Sequence, residues 1–146
     1  MKILLAYDGF EHSENALASA VELASTDEGA QVTILSVVGS DARASKSGGH
    51  VGLRPHAHED VARGHAYLRE RGIESEMQME DGDPAEEIVR VAQEGAYDVI
   101  VTGSHGRGPI GEILLGSVSK TLVRTAPCAV LIAGKEARAR IEPPAA

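Results

Sequence analysis

The chain lacks features that several classes of binding protein require. It contains no tryptophan, and aromatic residues make up only 3% of its 146 residues, so bases are not expected to stack on an aromatic platform. Basic residues are fewer than acidic ones, 14 against 22, which gives a formal net charge of −8. Because an acidic chain repels nucleic acids and anionic membranes, neither is expected as a partner.

Long apolar runs and cysteine pairs are also missing. No run approaches the roughly 20 apolar residues that cross a bilayer, and Tyr7 and Asp8 interrupt the short apolar N-terminus, so neither a membrane span nor a signal peptide is expected. Cys128 is the one cysteine and has no partner for an internal disulfide, which suits a cytoplasmic protein. With 42% apolar and 25% charged residues, the composition is typical of a globular domain.

Apolar runs alternate with helical patterns along the chain. The apolar runs predict strands at residues 2–7, 31–38, 73–79, 98–102 and 129–132. Helices are predicted between them: one capped by Ser13, one over residues 55–71, one capped by Asp83 with Pro84 at its first position, and one over residues 118–125. This order predicts an α/β fold for residues 1–133, with one doubly wound, five-stranded parallel sheet of order 3-2-1-4-5, as in flavodoxin-like and Rossmann-like folds. Residues 39–54 are predicted to form a mobile loop, and residues 134–146 a flexible, basic and proline-rich tail.

The segment after the predicted fourth strand is the most informative part of the chain. Residues 99–118 read VIVTGSHGRGPIGEILLGSV, in which a strand runs into a glycine-rich loop and then a helix start. Glycines let backbone N–H groups approach a ligand, and a helix N-terminus favours a bound anion. The segment is therefore interpreted as a nucleotide-phosphate site, with a ligand-free surface loop as the alternative. Its candidate residues are Gly103, His105 (through its backbone), Gly106, Arg107 (on the terminal phosphates), Gly116, Ser117 and Ser119.

Two further candidates follow from the predicted topology. In a doubly wound sheet, ligands bind where the winding reverses, which for this strand order lies between strands 1 and 4. Asp8 follows strand 1, where its carboxylate could accept from an adenine amino group or a ribose hydroxyl, or hold a metal ion through water. A structural role in an Asp-Gly turn is the alternative. Val37, near the end of strand 2, could contact the adenine edge through its main chain.

Residues typical of fast nucleotide hydrolysis are absent. Residues 111–117, GEILLGS, have the glycine spacing of a P-loop but no lysine at the required position. The chain also has no Gly-x-Ser-x-Gly motif. His50, His56 and His58 are interpreted as a surface cluster rather than a metal site. No catalytic residue is therefore predicted.

Gly103, Gly106, Gly116 and Ser117 have the Gly-x2-Gly-x9-Gly-Ser/Thr spacing, by which the chain resembles the ATP-binding branch of the universal stress protein family. The resemblance extends from Lys2 to about Ala133, although the family often has Asp-x-Ser where this chain has Asp8-Gly9-Phe10. It implies bound ATP, often with Mg²⁺ or Mn²⁺, and a homodimer formed through the last strand, Ala129 to Ile132. By position, the resemblance also implies nucleotide contacts from Ala6, Tyr7, Asp8, Val37, Thr102, Gly103, Gly106, Gly116, Ser117, Val118 and Ser119.

Three functional hypotheses follow. The first is a cytoplasmic, nucleotide-responsive stress or signalling protein without fast catalysis, whose protein partner is unknown. The second is a slow ATPase or autophosphorylating enzyme, with Ser117 or Ser119 as the phosphate acceptor. The third is an interaction module that acts independently of nucleotide.

Overall fold

The computed structural model describes residues 1–9, 11–38, 56–104 and 115–134, in which strands and helices alternate. The strands are β1 (Lys2–Ala6), β2 (Gln31–Val38), β3 (Glu74–Asp81), β4 (Val99–Gly103) and β5 (Ala129–Ala133). The helices are α1 (Glu11–Ala24), α2 (Ala57–Glu70), α3 (Pro84–Glu94) and α4 (Ser117–Thr125). The predicted loop at 39–54 and the predicted tail after Gly134 lie outside the described residues.

The five strands form one parallel sheet in the order β3-β2-β1-β4-β5, which confirms the predicted topology. The central strand, β1, shows why strands could be predicted from apolar runs in the sequence. Ile3, Leu4 and Leu5 of β1 are all 0% exposed, since helices cover both faces of the sheet, and such a strand needs a continuous apolar run.

Because successive side chains of a strand point to opposite faces of the sheet, a hydrophobic core forms on each face. Ile3 and Leu5 face a core that includes Leu17 of α1 and Val61 of α2. Leu4 faces the opposite core, together with Ile88 and Val91 of α3 and Leu122 of α4. The sheet therefore separates an α1/α2 layer from an α3/α4 layer.

The structure corrects one helix start and confirms another. α1 begins at Glu11, and Ser13 lies inside the helix with 1% exposure, so the prediction that Ser13 caps the helix was wrong. The reason lies in Gly9, three residues after β1, whose φ of +79° turns the chain and lets the helix start at Glu11. α3 begins as predicted, because the Asp83 side chain accepts a hydrogen bond from Glu86 N at 3.0 Å.

Candidate functional site

A cleft opens at the carboxyl end of β1, where the winding of the sheet reverses. On one side, the pairing of β1 with β4 ends at Leu5 and Val101, whereas β4 continues along β5 to Gly103. On the other side, Tyr7 N, just after β1, donates a hydrogen bond to Leu35 O at 2.9 Å, whereas β2 continues to Val38. Because both neighbours extend beyond β1, they form the walls of the cleft.

The cleft has a volume of about 90 Å³ and brings together residues that are distant in sequence. Eight predicted site residues line it: Ala6, Tyr7, Asp8, Val37, Thr102, Gly103, Val118 and Ser119. His12, Leu35 and Ile88 also line it and were not predicted. Gly116 and Ser117 lie at the N-terminus of α4, next to the cleft-lining Val118. His105, Gly106 and Arg107 lie outside the described residues.

The main chain of Val37 faces the cleft because successive residues of a strand direct their N–H and C=O groups to opposite sides. Leu35 O accepts from Tyr7 N on the β1 side, and Val38 O accepts from Gly82 N on the β3 side. The N–H and C=O of Val37 therefore point to the β1 side, just beyond the end of that strand. They form an adjacent donor and acceptor on the wall of the cleft.

Asp8 and His12 form a carboxylate–imidazole pair in the cleft. His12 Nε2 lies 2.9 Å from Asp8 Oδ2, and the two side chains are 22% and 38% exposed respectively. Asp8 precedes α1, which begins at Glu11, so the helical i, i+4 rule does not relate it to His12. No sequence signal therefore pointed to this pair, which the turn between β1 and α1 brings together.

The Tyr7 side chain is held by the fold rather than presented to a ligand. Its hydroxyl donates to the Glu14 carboxylate and accepts from the Arg63 guanidinium at 3.3 Å. Arg63 also donates to Glu14 Oε1 at 3.0 Å. Burial, followed by the neighbouring Glu14 carboxylate, raises the pKa of Tyr7 well above its ordinary value, so the phenol stays neutral.

Gly103 and Ser119 have structural roles at positions for which the family resemblance implies ligand contacts. A Cβ on Gly103 would lie 2.0 Å from the carbonyl oxygen of His12, so α1 packs directly on this glycine. The Ser119 hydroxyl donates to Gly103 O at 3.1 Å, and Ser119 is 2% exposed. Ser117, in contrast, is exposed at the first position of α4.

Metal-binding and reactive groups are sparse in the described part of the chain. Among residues 1–9, 11–38, 56–104 and 115–134, no three His, Cys, Asp or Glu side chains form a group that could hold a metal ion. Within the described part of the cleft, the Asp8 carboxylate is an oxygen ligand of the kind that Mg²⁺ and Mn²⁺ accept, and His12 lies beside it. Burial raises the pKa of Cys128, which makes it a poor nucleophile. None of the helices in these ranges is long and apolar enough to span a bilayer.

Residues 1–134 match the sequence model of the universal stress protein family. The universal stress protein YxiE of Bacillus subtilis is 34% identical over 145 residues, covering 90% of this chain and 97% of the relative. The stress response protein NhaX of the same bacterium is 30% identical over 159 residues, covering 90% and 96% respectively.

Solved structures share the fold. That of hypothetical protein MJ0577 of Methanocaldococcus jannaschii matches with a TM-score of 0.72 at 28% identity, covering 91% of this chain and 94% of the other. A universal stress protein in complex with cAMP matches with a TM-score of 0.68 at 21% identity, covering 92% and 97%. An Arabidopsis thaliana member of the family with AMP bound matches with a TM-score of 0.67 at 20% identity, covering 92% and 91%.

Proposed function

Because the chain belongs to the universal stress protein family, we propose that it binds an adenine nucleotide, ATP, in the cleft between β1 and β4. It acts in the cytoplasm as a nucleotide-responsive stress or signalling protein without fast catalysis. Nucleotide binding shifts the population of its conformations or assemblies, and the altered affinity for a protein partner is the output. The cAMP and AMP complexes of proteins with this fold support an adenine nucleotide as the ligand class.

The main chain of Val37 carries the proposal. An adenine ring presents an amino group that donates and a neighbouring ring nitrogen that accepts, and the C=O and N–H of Val37 complement that pair. Val37, Leu35 and Ile88 also place apolar side chains along the cleft, where they contact the faces of a purine ring. The Asp8 carboxylate then lies within the same cleft as an acceptor for a ribose hydroxyl.

The phosphates are assigned to the opposite wall of the cleft from Val37, beside β4 and the start of α4. α4 begins at Ser117 with Gly116 as N-cap, so its first N–H groups favour a bound anion at this end. Gly103, Gly106, the His105 backbone and Val118 complete this part of the proposed site, and Arg107 contacts the terminal phosphates. Ser119 contributes through its main chain, because its hydroxyl donates to Gly103 O. Mg²⁺ or Mn²⁺ accompanying the phosphates would contact Asp8 through water, as a lining side chain of the same cleft. The proposed assembly is a homodimer through the β5 edge from Ala129 to Ile132.

A slow ATPase is the second candidate, and the Asp8–His12 pair favours it. Sequence reasoning found no positioned base, whereas the structure places an imidazole beside a carboxylate in the cleft. Autophosphorylation on Ser119 is disfavoured because its hydroxyl is buried and donates to Gly103 O.

The first test is calorimetric titration of the full chain with ATP and with ITP, each with Mg²⁺. Hypoxanthine exchanges the donor and acceptor that adenine presents, so ITP leaves both Val37 groups mismatched. We expect ITP to bind at least about tenfold more weakly, since each unmatched polar group costs about 1–3 kcal/mol. Equal affinities would refute the assignment of Val37.

A matched pair of glycine variants tests the phosphate wall. Gly116→Val places a branched side chain where the phosphates approach α4, and we expect it to abolish ATP binding while circular dichroism stays unchanged. Gly29→Val, in an exposed turn remote from the cleft, is expected to bind ATP as the parent does.

Chromatography of ATP incubated with the protein and Mg²⁺ separates the two candidate functions. Intact ATP after hours supports the binding protein, and steady ADP formation supports the slow enzyme.

A further inference from the structure

β3 leaves one side of its main chain unpaired in the described structure. It is an edge strand, and within the described residues no other strand pairs with its outer side. Gly82 N donates to Val38 O across the inner side, so the even-numbered residues of β3 direct their N–H and C=O groups towards β2. The N–H and C=O groups of Ser75, Met77, Met79 and Asp81 therefore point outward.

The two faces of this edge differ in chemistry. On the α2 face, where Ser75 Oγ lies 2.8 Å from His65 Nδ1, Met77 and Met79 are 45% and 38% exposed. The opposite face carries Glu74, Glu76 and Glu80, with Glu80 bonded to Arg90 of α3. One face of the edge thus presents two exposed methionines between Ser75 and Asp81, and the other is acidic.

The usual devices that prevent strand addition are largely missing from β3. Natural edges are kept short or carry lysine, proline or a bulge. β3 has eight residues, ESEMQMED, with no lysine, proline or glycine, and it pairs with β2 in continuous register over its whole length. Exposed methionines are flexible enough to adapt to varied partners. Its remaining protection is negative charge, which repels acidic segments but attracts basic ones.

Charge also decides against a second copy of this chain as the occupant. Pairing two β3 edges would bring glutamates of one copy beside those of the other, in molecules that each carry a net charge of −8. Like charges on neighbouring strands are destabilising.

We propose that the outer edge of β3 is a docking site for an extended segment of a partner protein in which basic and apolar residues alternate. The segment adds to the sheet as a sixth strand through the outward groups of Ser75, Met77, Met79 and Asp81. Because side chains alternate between faces, its apolar residues pack beside Met77 and Met79, and its lysines or arginines lie beside Glu74 and Glu76. The surface is separate from the nucleotide cleft, and the proposal does not depend on nucleotide binding.

The test uses a labelled ten-residue peptide in which lysine and valine alternate, titrated into the full chain by fluorescence anisotropy. We expect saturable binding at least tenfold tighter than that of a peptide with the same composition arranged as a lysine block followed by a valine block. Equal binding of the two peptides would overturn the proposal, because it would reflect net charge alone.

Variants and hydrogen exchange locate the binding. Glu76→Lys and Met77→Pro, which removes an outward N–H without touching the ladder to β2, are each expected to weaken binding at least tenfold. Glu28→Lys makes the same charge change on an exposed turn and is expected to alter it less than twofold. Peptide binding should slow exchange of the Met77 and Met79 amides. Unchanged exchange there, or equal weakening by both lysine variants, would overturn the proposal.

Discussion

At the scale of single residues, Gly103 shows that a glycine in a ligand-binding fingerprint also serves packing. Sequence reasoning assigned it to close approach of a phosphate. In the structure, the first turn of α1 lies directly against it, and an added Cβ would be 2.0 Å from His12 O and 2.5 Å from His12 C. Because both contacts are backbone atoms that a side-chain rotation cannot move, the absence of a side chain is required even without a ligand.

We expect Gly103→Ala to lower the free energy of unfolding by about 1–3 kcal/mol or more, since overpacking of a rigid contact forces the backbone to shift. Urea denaturation without nucleotide measures this loss. Gly134→Ala is the control, because nothing lies within 4 Å of a Cβ there, and it should change stability by less than about 0.5 kcal/mol. Equal stabilities of the two variants would contradict the packing role.

At the scale of elements, α3 is the helix whose start the sequence specified most completely. Asp83 has extended backbone geometry as N-cap, its side chain accepts from Glu86 N, and Pro84 occupies the first turn. The start of α1 was misplaced because it depends on the left-handed turn at Gly9, which packs against Asp60 of α2. A helix start can be predicted from the sequence when the residues that cap it are its immediate neighbours in the chain.

Asp83→Ala removes the capping bond to Glu86 N, and we expect it to destabilise the protein by about 0.5–2 kcal/mol. Thermal and urea denaturation both report the change. Asp81→Ala makes the same substitution at the exposed end of β3 and should leave stability nearly unchanged. A cap variant as stable as that control would show that the bond contributes nothing.

At the scale of the whole molecule, the cluster of Tyr7, Glu14 and Arg63 connects β1, α1 and α2. The Arg63 guanidinium lies 3.0 Å from Glu14 Oε1 and 3.5 Å from Asp60 Oδ1. The ring of Tyr7 packs against Gly64 of α2, where an added Cβ would lie 3.6 Å from the ring. Tyr7 is 2% exposed, so its phenol is neutral inside the fold. These contacts fix the end of β1 from which Asp8 enters the cleft.

This burial predicts a loss of stability in alkali. The unfolded chain ionises Tyr7 near pH 10, whereas the raised pKa keeps it protonated in the folded state, so its contribution is complete below pH 10 and declines above it. We expect the stability difference between the parent and Tyr7→Phe to shrink by about 1.4 kcal/mol from pH 9 to pH 11. Urea denaturation at each pH measures it, and parallel profiles would contradict the expectation.

The buried strands and the cap of α3 were predictable because each depends on local patterns of apolarity and turn residues. The sheet order was predictable because right-handed crossovers leave few topologies for alternating strands and helices. The position of the cleft was predictable too, since strand order fixes where the winding reverses. His12 was not found as a cleft residue, nor were Leu35 and Ile88. Whether these residues line the cleft depends on where α1 starts and on which faces of β2 and α3 point towards it. Sequence spacing alone did not determine either.

The sequence by itself determined that this chain forms a doubly wound α/β domain of the universal stress protein family, because hydrophobic period and glycine spacing are properties of neighbouring residues. Only the tertiary structure decided that Gly103 supports α1, that the hydroxyls of Tyr7 and Ser119 are occupied within the fold, and that Asp8 meets His12. It also decided that Met77 and Met79 lie exposed on an edge strand whose outer side pairs with no other described strand. Those facts depend on how elements distant in sequence pack in space, and a side chain's hydrogen-bond partner exists only once that packing has formed.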